Sequence, residues 1–386
     1  MKLQTISAII LLSSILTTGY TQESVPFNDK RWSISAQGQM IEYFKGYECL
    51  YLKAGRAILP NVLFMNGIIE FDICLTEQAS FSGFFFRQTS QGNYEEFYFR
   101  AHQSGNPDSY QYTPVFNGDP AWQLYHDQFD PVNDGYVHWK AKGPLNGYNS
   151  VIEYPFGKWA HVKLLVKNDR AELYYDNNPE PVSVVRKLLQ DQKPGAIGIS
   201  SSVSAMRFAN FTYTKTDNVS LKYNEPAMNI IPQNSIQEWQ VSNSFKEDDV
   251  NKMNSLESSF IKKFSWKKLS VENGGFVNLA RLSPVTDSNT VFAKIVIQSE
   301  KDQIKKLDIG YSDRVKAYCN GNAIYSGNNG FRTRDYRYLG TIGYFDAIFL
   351  PLKKGENTIM LAVSETFGGW GVMAKWENMD GIRMVE

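Results

Sequence analysis

Cysteine is scarce in this 386-residue chain: Cys49, Cys74 and Cys319 are the full complement, and three thiols cannot all pair within one molecule. No C-x-x-C occurs, and the four histidines, His102, His126, His138 and His161, show no H-E-x-x-H or other close ligand spacing, so no metal site is expected from them. An excess of charge is also missing, because Lys plus Arg and Asp plus Glu stand at 40 each. Without a basic field, nucleic acid is not an expected partner. Beyond the N-terminus no apolar run approaches the roughly 20 residues that cross a bilayer, so no membrane span is expected. Long windows of helical period are lacking, as are a nucleophile elbow, a phosphate loop and a dinucleotide fingerprint.

What the chain does have begins at its start. One Lys precedes an apolar run from Ile6 to Leu16, which gives way to the polar Thr17-Thr18-Gly19-Tyr20-Thr21. That is the layout of a signal peptide over 1–21, too short to be a membrane anchor, and it places the mature protein outside the cytoplasm, secreted or periplasmic. No Cys stands near the expected cleavage point to carry a lipid.

Aromatic residues are abundant, with 22 Tyr and 24 Phe in short alternating stretches that suit a pleated sheet. Short strands separated by Gly, Asn, Asp and Pro predict an all-β protein with two β-sandwich (jelly-roll) domains in tandem. Their expected bounds are 24–214 and 238–386, with a polar linker over 215–237. Asn168-Asp169 predicts a tight hairpin between strands at 163–167 and 170–175. A short helix is expected somewhere within 248–264. Cys49 and Cys74 fall in neighbouring expected strands, and either a bridge between them or three buried thiols fits the pattern.

Period-2 geometry sorts 95–102 into two faces: Glu95, Phe97, Phe99 and Ala101 toward the core, and Glu96, Tyr98, Arg100 and His102 on the opposite surface. The second set combines acid, phenol, guanidinium and imidazole, groups able to bind sugar hydroxyls and stack on a sugar ring. A solvated sheet face with a cross-strand ion pair is the bland alternative. After a loop rich in turn formers, 122–126 is expected to resume a strand, with Gln123 and Tyr125 on one face and able to join that row. The candidate binding residues are therefore Glu96, Tyr98, Arg100, His102, Gln123 and Tyr125, and Glu96, His102 and Asp108 are the candidates for any catalysis. Arg332, Arg334, Tyr336 and Trp370 lie in expected loops of the second half, fitted either to sugar or to an interface with the first.

The stretches 67–73, 83–87, 95–100, 159–177 and 208–213 resemble the concanavalin A-like lectin/glucanase superfamily, in particular its laminin-G-like and 3-keto-disaccharide hydrolase-like members. The stretches 315–325 and 352–363 resemble a galactose-binding-like jelly roll that accompanies many glycoside hydrolases. The resemblance implies an exported carbohydrate-binding protein, with a glycoside hydrolase-like enzyme or a structural, adhesive surface protein as alternatives. It also implies that Ca²⁺ is a conceivable companion, although no EF-hand-like loop appears and no ligands can be named. The glucanases of that superfamily carry an E-x-D-x-E-like strand. Here Glu70-Phe71-Asp72 supplies E-x-D, but Cys74 stands at the last position and Glu95 and Glu96 point to opposite faces.

Overall fold

The computed structural model describes residues 21–386 apart from 107, 128, 131–134, 137–146, 228–229, 335–339 and 386. Residues 1–20 of the expected signal peptide, His138 and Tyr336 lie outside the described residues. The chain is built almost entirely of antiparallel strands, as its alternating aromatic pattern predicts, and it forms β-sandwiches. Strands between residues 23 and 215 pair only with one another, and so do those between 238 and 384.

The main strands of the N-terminal sandwich are β1 (Ser33–Phe44), β2 (Tyr47–Phe64), β3 (Gly67–Cys74), β4 (Ser80–Ser90), β5 (Asn93–Arg100), β6 (Tyr110–Phe116), β7 (Trp159–Lys167), β8 (Arg170–Tyr175), β9 (Ser183–Val185), β10 (Gly195–Val203) and β11 (Met206–Lys215). One layer runs β6-β5-β4-β10-β2 and the other β11-β3-β7-β8-β9. The long β2 joins them: Gly55 to Phe64 pairs with β10, whereas Leu50 to Leu52 pairs with β11. Between the layers lies an aromatic core in which Phe97 stacks on Phe84 at 5.3 Å and on Phe86 at 5.8 Å, while Phe71 of the opposite layer meets Phe84 at 5.3 Å. The predicted hairpin forms, with Lys167 opposite Arg170 and Asn168 at φ 55°. All three cysteines are buried free thiols, and burial pushes the Cys49 thiol up to about 11.

The C-terminal sandwich comprises β12 (Glu238–Ser242), β13 (Trp266–Ser270), β14 (Phe276–Asn278), β15 (Thr290–Ser299), β16 (Gln303–Ser312), β17 (Arg314–Cys319), β18 (Asn322–Asn328), β19 (Asp346–Leu352), β20 (Gly355–Ser364), β21 (Gly371–Trp376) and β22 (Ile382–Met384). One sheet runs β13-β12-β15-β20-β17-β18, with β22 also on β15, and the other β14-β21-β16-β19. The expected helix resolves into two single turns, α1 (Asp248–Asn251) and α2 (Ser258–Ile261). They bring Phe260 and Phe264 over the outer face of the first sheet, against Phe245 and Phe292.

The two sandwiches meet along 117–126. The expected strand at 122–126 does not form. The Leu124 and Tyr125 amides instead donate to the Ala121 carbonyl, so the segment turns, while the Gln123 amide donates to the Gly368 carbonyl and the Ile342 amide to the Gln123 carbonyl. Three buried carboxyls face one another here: Asp119 of the first sandwich, and Asp313 and Glu365 of the second, at 3%, 2% and 0% exposure. Asp119 accepts the Trp370 amide at 3.1 Å and Asp313 accepts the Thr366 amide at 3.1 Å. Arg314 reaches Asp313 only at 3.9 Å because its guanidinium is forked onto Glu247 at 2.8 Å. Burial pushes all three carboxyls up, and repulsion adds to it at Asp119, which rises to about 6, and at Glu365.

A carboxyl that binds its proton more tightly folded than unfolded loses stability as pH rises. Unfolding measured by denaturant from pH 4 to pH 7 is expected to show stability falling across the window between 3.8 and about 6 for Asp119. Asp119→Asn keeps an acceptor for the Trp370 amide and removes the charge. It should flatten that slope and raise stability at pH 7 by roughly 1–3 kcal/mol.

Candidate functional site

The strand β5 has the expected alternation. Glu95, Phe97 and Phe99 point inward and are fully buried, whereas Glu96, Tyr98 and Arg100 point to the other face of the layer. Register then defines a row across the sheet: Arg56 stands opposite Ser200, Ser200 opposite Gly83, Gly83 opposite Tyr98, and Tyr98 opposite Gln111. Glu96 occupies the next row, between Phe85 and Thr113.

This face is not the open, solvated surface that alternation predicts. Tyr98 and Arg100 are only 8% and 9% exposed, Gln111 is buried, and Glu96 and Arg56 are half-buried. A polar row taken out of water has to find partners, and most of it does. The Tyr98 hydroxyl donates to Gln111 Oε1 at 2.8 Å, and Gln111 Nε2 donates to the Trp122 carbonyl at 3.3 Å. Arg100 forms a buried ion pair with Asp108, so the candidate acid Asp108 is already neutralised. Ser200 donates to Glu96 Oε1 at 3.1 Å, and burial pushes the Glu96 carboxyl up despite the nearby Arg56.

Arg56 is the member that sequence reasoning missed. Its guanidinium lies 3.8 Å from the Phe85 ring centroid and 4.3 Å from that of Tyr94. Gly198 makes this stack feasible, since a Cβ there would sit 2.4 Å from Phe85 Cζ. Nε and Nη2 of Arg56 are buried without a hydrogen-bond partner. No local pattern in 53–59 announces this role, because the stack joins strands far apart in sequence.

The remaining candidates separate. The strand β5 ends at Arg100, and His102 sits on a short 3₁₀ turn, exposed, with its ring 5.3 Å from Phe81 at the edge of the face. Gln123 and Tyr125 do not join the row. Both are buried where the sandwiches meet: Gln123 Oε1 accepts from Ser312 Oγ at 3.0 Å, and the Tyr125 hydroxyl donates to Glu272 Oε2 at 2.8 Å. The reason is the turn at 121–125, which replaces strand alternation. Trp370 is likewise interior, its indole N–H donating to the Val363 carbonyl at 3.0 Å, and Arg334 is committed to Asp346. Trp122 is only half-buried and groups with Phe331 and Phe367 of the second sandwich, at 6.2 and 6.5 Å.

Two other carboxylate groupings are accounted for by their partners. Glu95, in the core, accepts from the Tyr112 hydroxyl at 2.6 Å and the Gln190 amide at 3.1 Å, and burial pushes it up to about 7. Glu70 and Asp72 lie on the outer face of the opposite layer around His161, whose Nδ1 is 2.8 Å from Asp72 and whose Nε2 is 3.6 Å from Glu70. Those carboxylates raise the imidazole to about 9, so it is a cation at neutral pH and no general base. Among the described residues, no group of three His, Cys, Asp or Glu is arranged to hold a metal ion.

An NMR titration is expected to find the His161 imidazole protonated well above its ordinary 6.5, titrating near 9. Asp72→Asn should move it down by at least one unit. The stability this imidazolium contributes is present below pH 6.5 and is lost as pH rises through about 9.

No protein-family model and no curated protein sequence matches the chain. Solved structures do resemble it. The carbohydrate-binding module CBM66 from Bacillus subtilis shares 14% identity over 49% of this chain and 98% of its own, with a TM-score of 0.34. A Bacillus subtilis protein of unknown function with a galectin-like fold shares 10% over 51% and 98%, TM-score 0.35. The Bacillus licheniformis β-glucanase shares 12% over 52% and 99%, TM-score 0.29. Each likeness is one of fold and spans about half of this chain.

Proposed function

We propose that this chain is an exported carbohydrate-binding protein whose N-terminal sandwich takes a sugar on the face carrying Arg56, Glu96 and Tyr98. The observation that carries this reading is the Arg56–Glu96 pair. A flat guanidinium pinned on two aromatic rings presents donors, and a half-buried carboxylate beside it presents acceptors. Adjacent hydroxyls of a sugar need that combination, because each hydroxyl both accepts and donates. Unpartnered guanidinium N–H groups are costly to bury, so a ligand oxygen supplied to them improves the free energy of the complex. Trp122, with Phe367 48% exposed, offers an aromatic platform at the edge of the same face, linked to it through Gln111.

Binding is favoured over hydrolysis by the charge arrangement. Cleavage of a glycosidic bond ordinarily uses two carboxyl groups flanking the bond. On this face Asp108 is tied to Arg100, which leaves Glu96 as the carboxyl available among the described residues. The second sandwich acts as an accessory module that positions Phe331 and Phe367.

A glycan array followed by calorimetry on the mature protein tests this reading. Arg56→Met and Glu96→Gln should each weaken the selected glycan about 10- to 100-fold, equivalent to roughly 1.5–3 kcal/mol for a charged hydrogen bond, with circular dichroism unchanged. Parental affinity should increase as pH rises and Glu96 ionises, and Glu96→Gln should lose that dependence. A parent that binds no glycan, or variants that bind as well as the parent, would overturn the assignment. Release of sugar products would move it to the hydrolase alternative.

A further inference from the structure

We infer that the free edge of β1 pairs with the same edge of a second copy of this chain, joining two N-terminal sandwiches about a two-fold axis at Ile41. Strand β1 lies at the end of its ladder. It pairs with β2 alone, in one unbroken register from Ser33 opposite Ile58 to Phe44 opposite Tyr47. An antiparallel ladder engages the N–H and C=O groups on one side of a strand, so half of those of β1 point away from β2. Among the described residues, no backbone group from Ser33 to Phe44 bonds to the backbone of any other segment.

Edge strands are ordinarily protected against pairing by lysine, proline or a covering segment. The stretch from Gly38 to Phe44 carries neither Lys nor Pro, and its one charge, Glu42, is held by Arg207 Nε at 2.7 Å. Apolar side chains stand open on both of its faces: Met40, Ile41 and Tyr43 are 51%, 38% and 76% exposed. Behind Met40, in the row that Tyr51 and Arg207 continue, the Arg207 guanidinium lies 4.1 Å from the Phe44 ring and 5.4 Å from that of Tyr51. Aromatic residues, Met and Arg are the types that concentrate in the centres of protein interfaces. The backbone specifies the occupant. A row of alternating N–H and C=O groups is complementary to another strand, and an antiparallel edge is complementary to itself under two-fold rotation. With the axis at Ile41, Phe44 falls opposite Gly38 of the second copy, Tyr43 opposite Gln39 and Glu42 opposite Met40. Phe44 thus meets a residue without a side chain, and the two Glu42 carboxylates do not face each other. Seven residues extend about 24 Å, and with the exposed parts of Met40, Ile41 and Tyr43 the pairing covers roughly 1,000 Å² over both copies, the scale at which specific association begins.

Sedimentation velocity on the full mature chain, from about 1 to 100 μM, tests the inference. Expected is a concentration-dependent equilibrium between monomer and dimer. Ile41→Lys sets two like charges against each other at the axis and should weaken the dimer roughly tenfold or more, with circular dichroism unchanged, and Ile41→Glu should do the same. Mixing the two variants should restore a dimer, because residue 41 faces its own copy only in this register. Should the changes at Ile41 prevent folding, Tyr43→Lys alters a side chain that is 76% exposed and should weaken the dimer roughly fivefold by charging the same edge. A monomeric parent, an Ile41→Lys or Tyr43→Lys variant that dimerises as tightly as the parent, or a mixture that stays monomeric overturns the assignment. The substituted side chains are not among those proposed to hold sugar, so the outcome is independent of the glycan result.

Discussion

Packing of Phe97 in the core of the N-terminal sandwich is the constraint on which the site depends. Its ring stacks on Phe84 and Phe86, which fixes the register of β5 against β4. Because strand side chains alternate, the same contact that seats Phe97 inside turns Glu96 and Tyr98 outward. A slip of one residue would carry the polar row into the core and the phenylalanines out of it, an exchange strongly opposed by the hydrophobic term. The polar face is thus held in place by apolar packing on its reverse side.

Hydrogen-bond accounting then separates structure from function. Most buried polar groups among the described residues are matched: Glu95 with Tyr112 and the Gln190 amide, Tyr125 with Glu272 and Asn278. Such groups stabilise the place where they stand and have little left to offer a ligand. The mismatches among the described residues are fewer: single atoms of Arg87, Arg100, Tyr110, Thr113 and Asn149, and three further groupings. At the junction, Asp119, Asp313 and Glu365 crowd negative charge where two sandwiches meet, and a retained proton relieves it. On the sheet face, Arg56 keeps donors unspent next to Glu96. In the second sandwich, the indole N–H groups of Trp239 and Trp376 are buried without a partner. The first is a matter of cohesion between the halves, while the second belongs to the proposed sugar face.

Several features were legible in the residues alone. The all-β class followed from the alternating aromatic stretches, and the inward set Glu95, Phe97 and Phe99 followed from period 2. The hairpin at Asn168 followed from the tolerance of Asn for positive φ. Gln123 and Tyr125 were misplaced because alternation holds only within a strand, and 121–125 is a turn set by contacts with Gly368 and Ile342, more than 200 residues away. The degree of burial was misjudged for a related reason: periodicity says which way Tyr98 and Arg100 point but not what lies over them.

By itself the sequence determined the secondary-structure class, the direction of each side chain along a strand and the neutrality of charge, since these depend on local sterics and composition. Tertiary structure alone decided which charges pair and which stay unmatched. Arg56 meets Phe85, Glu96 and Ser200 only when β2, β4, β5 and β10 are assembled. Those are sums over residues distant in the chain, and no local rule of propensity or spacing contains them.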